Sequence, residues 1–247
     1  MKDYQAVIDL LRNRVVLVTG AGDGLGRLVA RRLALHGATV ILLGRTIRKL
    51  EQIYDEIEQA GAPKPAIYPM NLEGANAKDY ADLAQVLETE FGRLDGLLHN
   101  ATLFEGLTPL ANYDIELWYR VLQVNLNAPF LLTRALLGLL NRSADASVVF
   151  TADRASEEGR AYWGAYAAAK GGAETLMKIL ASELETNTPI RVNSIDPGHV
   201  RAGLTLRAYP GRPATEWTDP EAVLSAYLYL LGPDSKGVTG QIVRAQD

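Results

Sequence analysis

Cysteine is absent from the 247 residues. That excludes disulfides, thiolate metal sites and a cysteine nucleophile, and it suits a reducing compartment such as the cytoplasm. Histidine is scarce. His36, His99 and His199 stand far apart with no ligand spacing, so no metal site is expected. No apolar run reaches the ~18 residues of a membrane span, so no membrane partner is expected. The first stretch, MKDYQAVIDLLRNR, has charges spaced through it and no apolar h-region, so it reads as no signal peptide. An excess of positive charge is also missing. The formal net charge of −4 argues against a nucleic-acid partner. No Pro/Ser linker, composition shift or 20–50-residue repeat divides the chain, so one domain over residues 1–247 is expected.

What is present is a regular alternation. RVVLVTG (14–20), TVILLG (39–44), PAIYPM (65–70), LDGLLHN (94–100), ASVVFTA (146–152), IRVNSI (190–195) and GQIVRA (240–245) read as strands. Several are apolar nearly throughout, as strands buried on both faces are. Leu25, Leu28, Val29 and Leu33 repeat at helical spacing before Gly37. Leu50, Ile53, Tyr54 and Ile57 do the same before Gly61. The pattern predicts an α/β fold: a single Rossmann-type, doubly wound parallel sheet of about seven strands with helices on both faces. Residues 198–218 have the weakest periodicity, and their Gly and Pro content suggests a mobile lid over a substrate site.

The first strand runs straight into TGAGDGLG, residues 19–26. Gly20, Gly24 and Gly26 have the spacing G-x-x-x-G-x-G, which is neither G-x-G-x-x-G nor a phosphate loop ending in Lys-Ser/Thr. Two readings stand. The glycines serve a tight strand-to-helix turn alone, or they let the backbone approach a pyrophosphate at a helix N-terminus. The placement between strand and amphipathic helix favours binding, with Asp23, Gly24 and Leu25 in the same loop. Arg45 follows the second strand, 19 residues past Gly26, where an acid suits an unphosphorylated ribose and an arginine suits a 2′-phosphate. Arg48 and Lys49 are close behind, and Asp23 opposes them. The balance favours NADP over NAD.

The chain resembles the short-chain dehydrogenase/reductases along nearly its whole length. The resemblance rests on TGAGDGLG, HNA (99–101), NLNAPF (125–130) starting a helix, YAAAK (166–170) and DPG (196–198), in that order. VILLGR, LDGLLHNA and RAYWGAYAAAK look most like the YciK-type bacterial oxidoreductases of that family. The resemblance implies that Tyr166 is the general acid/base for a small alcohol or carbonyl. Lys170, one turn on, would lower the Tyr166 pKa and hold the nicotinamide ribose. Asn125 would hold a water that relays protons from Lys170. Asn100 and Ala101 would line the adenosine-ribose side. Asn71, where Asp is usual, and Leu72 would meet the adenine. Pro197, Gly198 and Val200 would meet the nicotinamide. Family members commonly pair through the helix bearing the tyrosine and the preceding helix, so a homodimer or homotetramer is implied. Tyr162, eight residues from Lys170, lies too far along the helix to be tuned by it and reads as a cleft or packing aromatic.

Three departures from the family pattern matter. Asp153 stands thirteen residues before Tyr166, where the family has a catalytic serine. Serine donates to the substrate carbonyl, whereas an ionised carboxylate only accepts. Thr151 and Ser156 are nearby hydroxyls without the family spacing. Thr102 replaces a glycine expected to floor the cofactor site, and Ala202 replaces a threonine after the Pro-Gly turn, beside His199. Asp153 leaves three readings open: a carboxylate that orients a cationic or hydroxyl-bearing substrate, a carboxyl kept protonated in an apolar pocket so that it donates a bond, or a family member that keeps the fold and binds nucleotide without catalysis. Phe104, Glu105, Tyr162 and Trp163 are expected to shape the substrate end.

Overall fold

A computed structural model describes residues 4–247. Seven strands form one parallel sheet: β1 (Val15–Thr19), β2 (Thr39–Gly44), β3 (Ala66–Pro69), β4 (Gly96–His99), β5 (Ser147–Thr151), β6 (Arg191–Asp196) and β7 (Ile242–Arg244). Their spatial order is β3-β2-β1-β4-β5-β6-β7, and every pairing is parallel. All seven expected strands are found, each within two residues of its expected ends.

The helices fall into two layers because consecutive strand residues face opposite ways. Val16, Val18, Val40, Leu42 and Leu98 pack with α1 (Gly24–Leu35), α2 (Ile47–Gln59) and, later in the chain, α9 (Leu224–Leu231). Leu17, Ile41, Leu43, Leu97 and Val148 pack on the other face. Their partners there are α3 (Ala77–Phe91), α5 (Ala128–Leu140) and α7 (Gly164–Leu184). The near-continuous apolar strands are thus explained: neither face meets water. No helix among the described residues is long and apolar enough to cross a membrane.

Between β4 and α5 the chain departs from the expectation that residues 125–130 start a helix. α4 (Ile115–Leu122) runs into a π-helical turn, Gln123–Asn127, and on into α5 without a break. Asn125 therefore sits in mid-helix. Pro129, four residues on, has no N–H to give to its carbonyl, and the wider turn accommodates the mismatch. Two short helices complete the set: α6 (Arg154–Glu158) after β5, and α8 (Gly203–Ala208) after β6. Residues 198–218 are thus partly helical. Their ends are tied where Val200 pairs with Thr218, the Arg201 N–H donating to the Thr218 carbonyl at 2.8 Å.

The sheet is braced at its N-terminal edge by buried charge. The Asp95 carboxylate accepts from the Val15 N–H (2.8 Å), the Ser143 hydroxyl (2.6 Å) and the Arg93 guanidinium (3.1 Å). It joins β1 to the turn after α5 and lies at the end of the sheet away from the cleft described below. Asp95→Ala strands a buried N–H and a buried hydroxyl. It should lower unfolding free energy by about 3 kcal/mol, read by urea denaturation.

Candidate active site

The order of the strands reverses direction at β1 and β4, and there the loops after the strands part to leave a crevice. A cleft of ≈ 410 Å³ opens at that point. Its floor is set by Thr19, the last residue of β1. The Thr19 hydroxyl accepts from the Asn100 N–H (2.9 Å) and the Ala101 N–H (3.0 Å) and donates to the Leu98 carbonyl (3.2 Å). It pins the ends of β1 and β4 together. Sequence reasoning missed Thr19; its only signal is a hydroxyl closing an aliphatic strand.

Above this floor the glycines act by backbone geometry. Gly20 has φ +68° and lies so close to Ala101 that a Cβ would clash with the Ala101 backbone. A Cβ at Gly26 would collide with the Gly20 carbonyl and the Asn100 amide. Gly26 does not line the cleft; it lets α1 pack onto the loop. Asp23, Gly24 and Leu25 do line it. The Asp23 carboxylate caps α1 through the Gly24 N–H (2.7 Å) and pairs with Lys49. Lys49 is the first cause of the lowered Asp23 pKa. Asp23 is thereby matched by a cation, and its opposition to a phosphate is reduced. Arg45 is exposed at the same rim with Lys49, whereas Arg48 lies outside the cleft. Asn71, Leu72, Asn100, Ala101, Pro197, Gly198 and Val200 line the walls.

The reacting end is formed by β5, α6 and α7. Tyr166 and Lys170 share one face of α7, and both are buried. The Tyr166 hydroxyl donates to Asp153 Oδ2 at 2.9 Å. Asp153 Oδ1 accepts the Ala155 N–H at 2.9 Å and so caps α6. Lys170 Nζ donates to the Thr151 carbonyl at 2.7 Å. Burial, then the Asp153 charge and hydrogen bond, push the Tyr166 phenol well above its ordinary range, while the Thr102 hydroxyl works weakly the other way. This corrects the expectation that Lys170 holds the Tyr166 pKa down. Burial also pulls Lys170 down to about 8, and Asp153 only partly opposes it. The same burial keeps His99 neutral, pushed down to about 3, with its Nε2 at 2.7 Å from the Thr133 hydroxyl.

Asn125 is brought near but behind the wall. Its side-chain oxygen accepts from the Leu103 N–H (3.0 Å) and the Thr102 hydroxyl (2.9 Å), and its amide donates to the Leu103 carbonyl (2.8 Å). The side chain is thus committed to protein, and a relay water would have to use the backbone carbonyl that Pro129 leaves without an i+4 donor. Thr102 lines the cleft as expected, its hydroxyl held by Asn125. Tyr162 corrects its expectation: it is 55% exposed, at φ +75°, and lines no part of the cleft. Phe104 and Trp163 are buried and stack behind Tyr166 rather than lining the cleft. Ser156 turns away to the Asp153 carbonyl, and the Thr151 hydroxyl is buried without a partner among the described residues. His199 is exposed, edge-on to Tyr209 and Trp217. Thr205, three residues past Ala202, faces the cleft from α8.

This arrangement has a known counterpart. The family model for short chain dehydrogenases matches residues 14–211. The chain belongs to the short-chain dehydrogenases. It is 41% identical over 243 residues to the uncharacterised oxidoreductase YciK of Escherichia coli K12, covering 98% of this chain and 96% of that one. A short chain dehydrogenase structure from Pseudomonas syringae is 50% identical, with TM-score 0.96 and 99% of each chain covered. One from Shigella flexneri 2a, complexed with NADP, is 40% identical, with TM-score 0.94, covering 98% of this chain and 100% of that one. Membership of this family and the NADP complex of the Shigella relative indicate a nicotinamide cofactor. The residues present fit one: a cradle that Cβ atoms would fill, a capped helix N-terminus, and two cations at the rim.

The buried lysine carries a pH signature. In the unfolded chain Lys170 titrates near 10.5, and in the fold near 8. Below pH 8 both states are protonated and the burial cost is constant. Between pH 8 and 10 the folded state releases its proton first, so stability rises with pH. Above about pH 10 the raised Tyr166 pKa reverses the slope, because the unfolded phenol ionises first. Relative to Lys170→Met, the native protein should gain about 2–3 kcal/mol between pH 8 and 10 in the absence of cofactor, measured by denaturant unfolding at each pH.

Proposed function

We propose that this short-chain dehydrogenase is an NADP-linked oxidoreductase acting on a small alcohol–carbonyl pair or a close chemical analogue of one. The observation that carries this reading is one continuous cleft. Arg45 and Lys49 stand at one end, the glycine cradle in the middle, and Tyr166 with Lys170 at the other. The nicotinamide, when bound, supplies or accepts the hydride. Arg45 and Lys49 would meet the 2′-phosphate, a charge-assisted contact that NAD cannot offer. Asn71 and Leu72 would hold the adenine, and Asn100 and Ala101 the adenosine ribose. Pro197, Gly198 and Val200 would flank the nicotinamide. Lys170 would hold its ribose, and Tyr166 would hold the proton at the reacting oxygen. The NADP complex of the Shigella relative supports the cofactor class.

Asp153 modifies that chemistry. The carboxylate takes the proton donor that a carbonyl oxygen would need, and its charge opposes an alkoxide. An ordinary ketone should therefore be reduced slowly. The same contact favours a second reading, in which nucleotide binding persists and catalysis does not. Residues 198–218 would close over the substrate, since α8 already lines the cleft. A homodimer or homotetramer is supported by the exposed apolar residues Phe130 on α5 and Ile179 on α7. The cysteine-free sequence supports a cytoplasmic setting.

Titration with NADPH should raise the melting temperature, and NADH should do so only at higher concentration. Arg45→Ala should weaken NADPH at least about tenfold, with NADH within about twofold. Loss of NADPH binding altogether in the native protein would overturn the reading. For an alcohol or ketone substrate, where Tyr166 must move a proton at oxygen, Tyr166→Phe should lower kcat at least about a hundredfold with cofactor affinity retained. Under the second reading the native protein turns over nothing, and Asp153→Ser restores reduction of a diketone.

A further inference from the structure

We propose that the substrate's reacting group is a protonated carbon–nitrogen double bond, an iminium, and that Asp153 recognises its N–H cation. The inference rests on the hydride-transfer reading above and names the substrate class for it.

The hydrogen-bond inventory at the reacting end carries the argument. Tyr166 gives its proton to Asp153 at 2.9 Å. Thr102 gives its proton to Asn125 at 2.9 Å, and the Asn125 amide is spent on the Leu103 carbonyl. Ser156 donates to the Asp153 carbonyl, away from the cleft, and the Thr151 hydroxyl is buried against Tyr227. Lys170 is directed at the Thr151 carbonyl. No neutral hydroxyl beside Tyr166 is left to donate to a carbonyl oxygen. What this end offers is acceptor capacity. Each Asp153 oxygen carries one hydrogen bond, so each keeps a second lone pair. A substrate that brings its own N–H donor and positive charge fits that inventory; one that brings only an acceptor does not.

The charge balance points the same way. Reduction of a ketone creates an anion next to a carboxylate, which repels it. Reduction of an iminium removes a cation, and no oxyanion forms. The carbon gains a hydride with its electron pair, and the C=N π pair becomes the nitrogen lone pair. The proton that charged the nitrogen stays on it. A reduced nicotinamide dinucleotide is oxidised as the hydride source. No proton has to leave Tyr166, whose hydroxyl can stay on Asp153 throughout. A carboxylate also keeps the nitrogen protonated, without which the carbon is a poor hydride acceptor. Asp153 is held ready for this role: its backbone is extended and its other oxygen is anchored on the Ala155 N–H, so the carboxylate needs no reorganisation. The second carboxylate close by, Asp196, is occupied by Arg154 (3.0 Å) and the Gly198 N–H (2.8 Å).

The test uses ring pairs of similar size. Calorimetric titration of the native protein compares 2-methylpyrrolidine, a cation at neutral pH, with cyclopentanol. NADPH consumption compares 2-methyl-1-pyrroline with cyclopentanone. The amine should bind at least about tenfold tighter than the alcohol, and Asp153→Asn should abolish the preference. Asparagine keeps a cap acceptor for α6, so this variant should fold, as its melting temperature will show. The imine-to-ketone ratio of kcat/KM should exceed about ten in the native protein and fall at least about tenfold in Asp153→Ser. Absence of any preference for the amine, or a preference that survives Asp153→Asn, overturns the proposal. If NADPH binds and cyclopentanone is the better substrate, the iminium class fails alone. If NADPH does not bind, the hydride-transfer reading fails, whatever the amine does.

Discussion

A parallel sheet covered on both faces leaves polar chemistry no place except the strand ends. Every interior position of β1, β2, β4 and β5 that faces a helix layer is filled by an apolar side chain, aliphatic except at Phe150, because an unpaired polar group there would cost several kcal/mol. The polar residues therefore gather at the two rims. At the N-terminal rim they are structural: Arg14 and Arg191 meet Asp145, and Asp95 ties three segments. At the C-terminal rim the loops diverge around β1 and β4, and the cleft opens. Thr19 is the hinge between these regimes. Its one hydroxyl satisfies two N–H groups and allows the loops after β1 and β4 to sit against each other.

The same enclosure sets the electrostatics of the reacting end. Tyr166 and Lys170 are taken out of water by the aromatic packing of Phe104 and Trp163 and by the strand ends. Desolvation disfavours the charged form of each, so the phenol moves up and the ammonium moves down. In such surroundings a carboxylate 2.9 Å from the phenol outweighs a lysine whose amine is directed at a carbonyl. One substitution in the sequence thus changes which side of the proton balance the site favours. The glycine cradle and the Arg45–Lys49 rim, at the far end of the cleft, are untouched by it.

Much of this was readable before the structure. The seven strands follow from short apolar β-rich runs between helical patterns, and the two layers follow from that alternation. Most of the residues put forward for the site do line one cleft, since motifs at the ends of parallel strands have nowhere else to converge. The misreadings have local causes. The family motif puts Asn125 at a helix start; the chain instead absorbs Pro129 in a π turn in mid-helix, with the Asn125 side chain tied to the Leu103 backbone. Tyr162 reads as a cleft or packing aromatic because it lies too far from Lys170 to be tuned by it, yet its own left-handed backbone just before α7 turns it outward.

The sequence by itself determined the sheet, its order of chemistry-bearing loops, and the family, because periodicity and glycine placement are properties of the chain read locally. It also showed that an aspartate stands where a serine is expected. Only the tertiary structure decided what that aspartate touches. Hydrogen-bond direction depends on which groups thirteen or more residues apart are brought within 3 Å and on what water is excluded around them. That is why Asp23 turned out to be matched by Lys49, Asn125 to be committed to Leu103, and Asp153 to hold the proton of Tyr166.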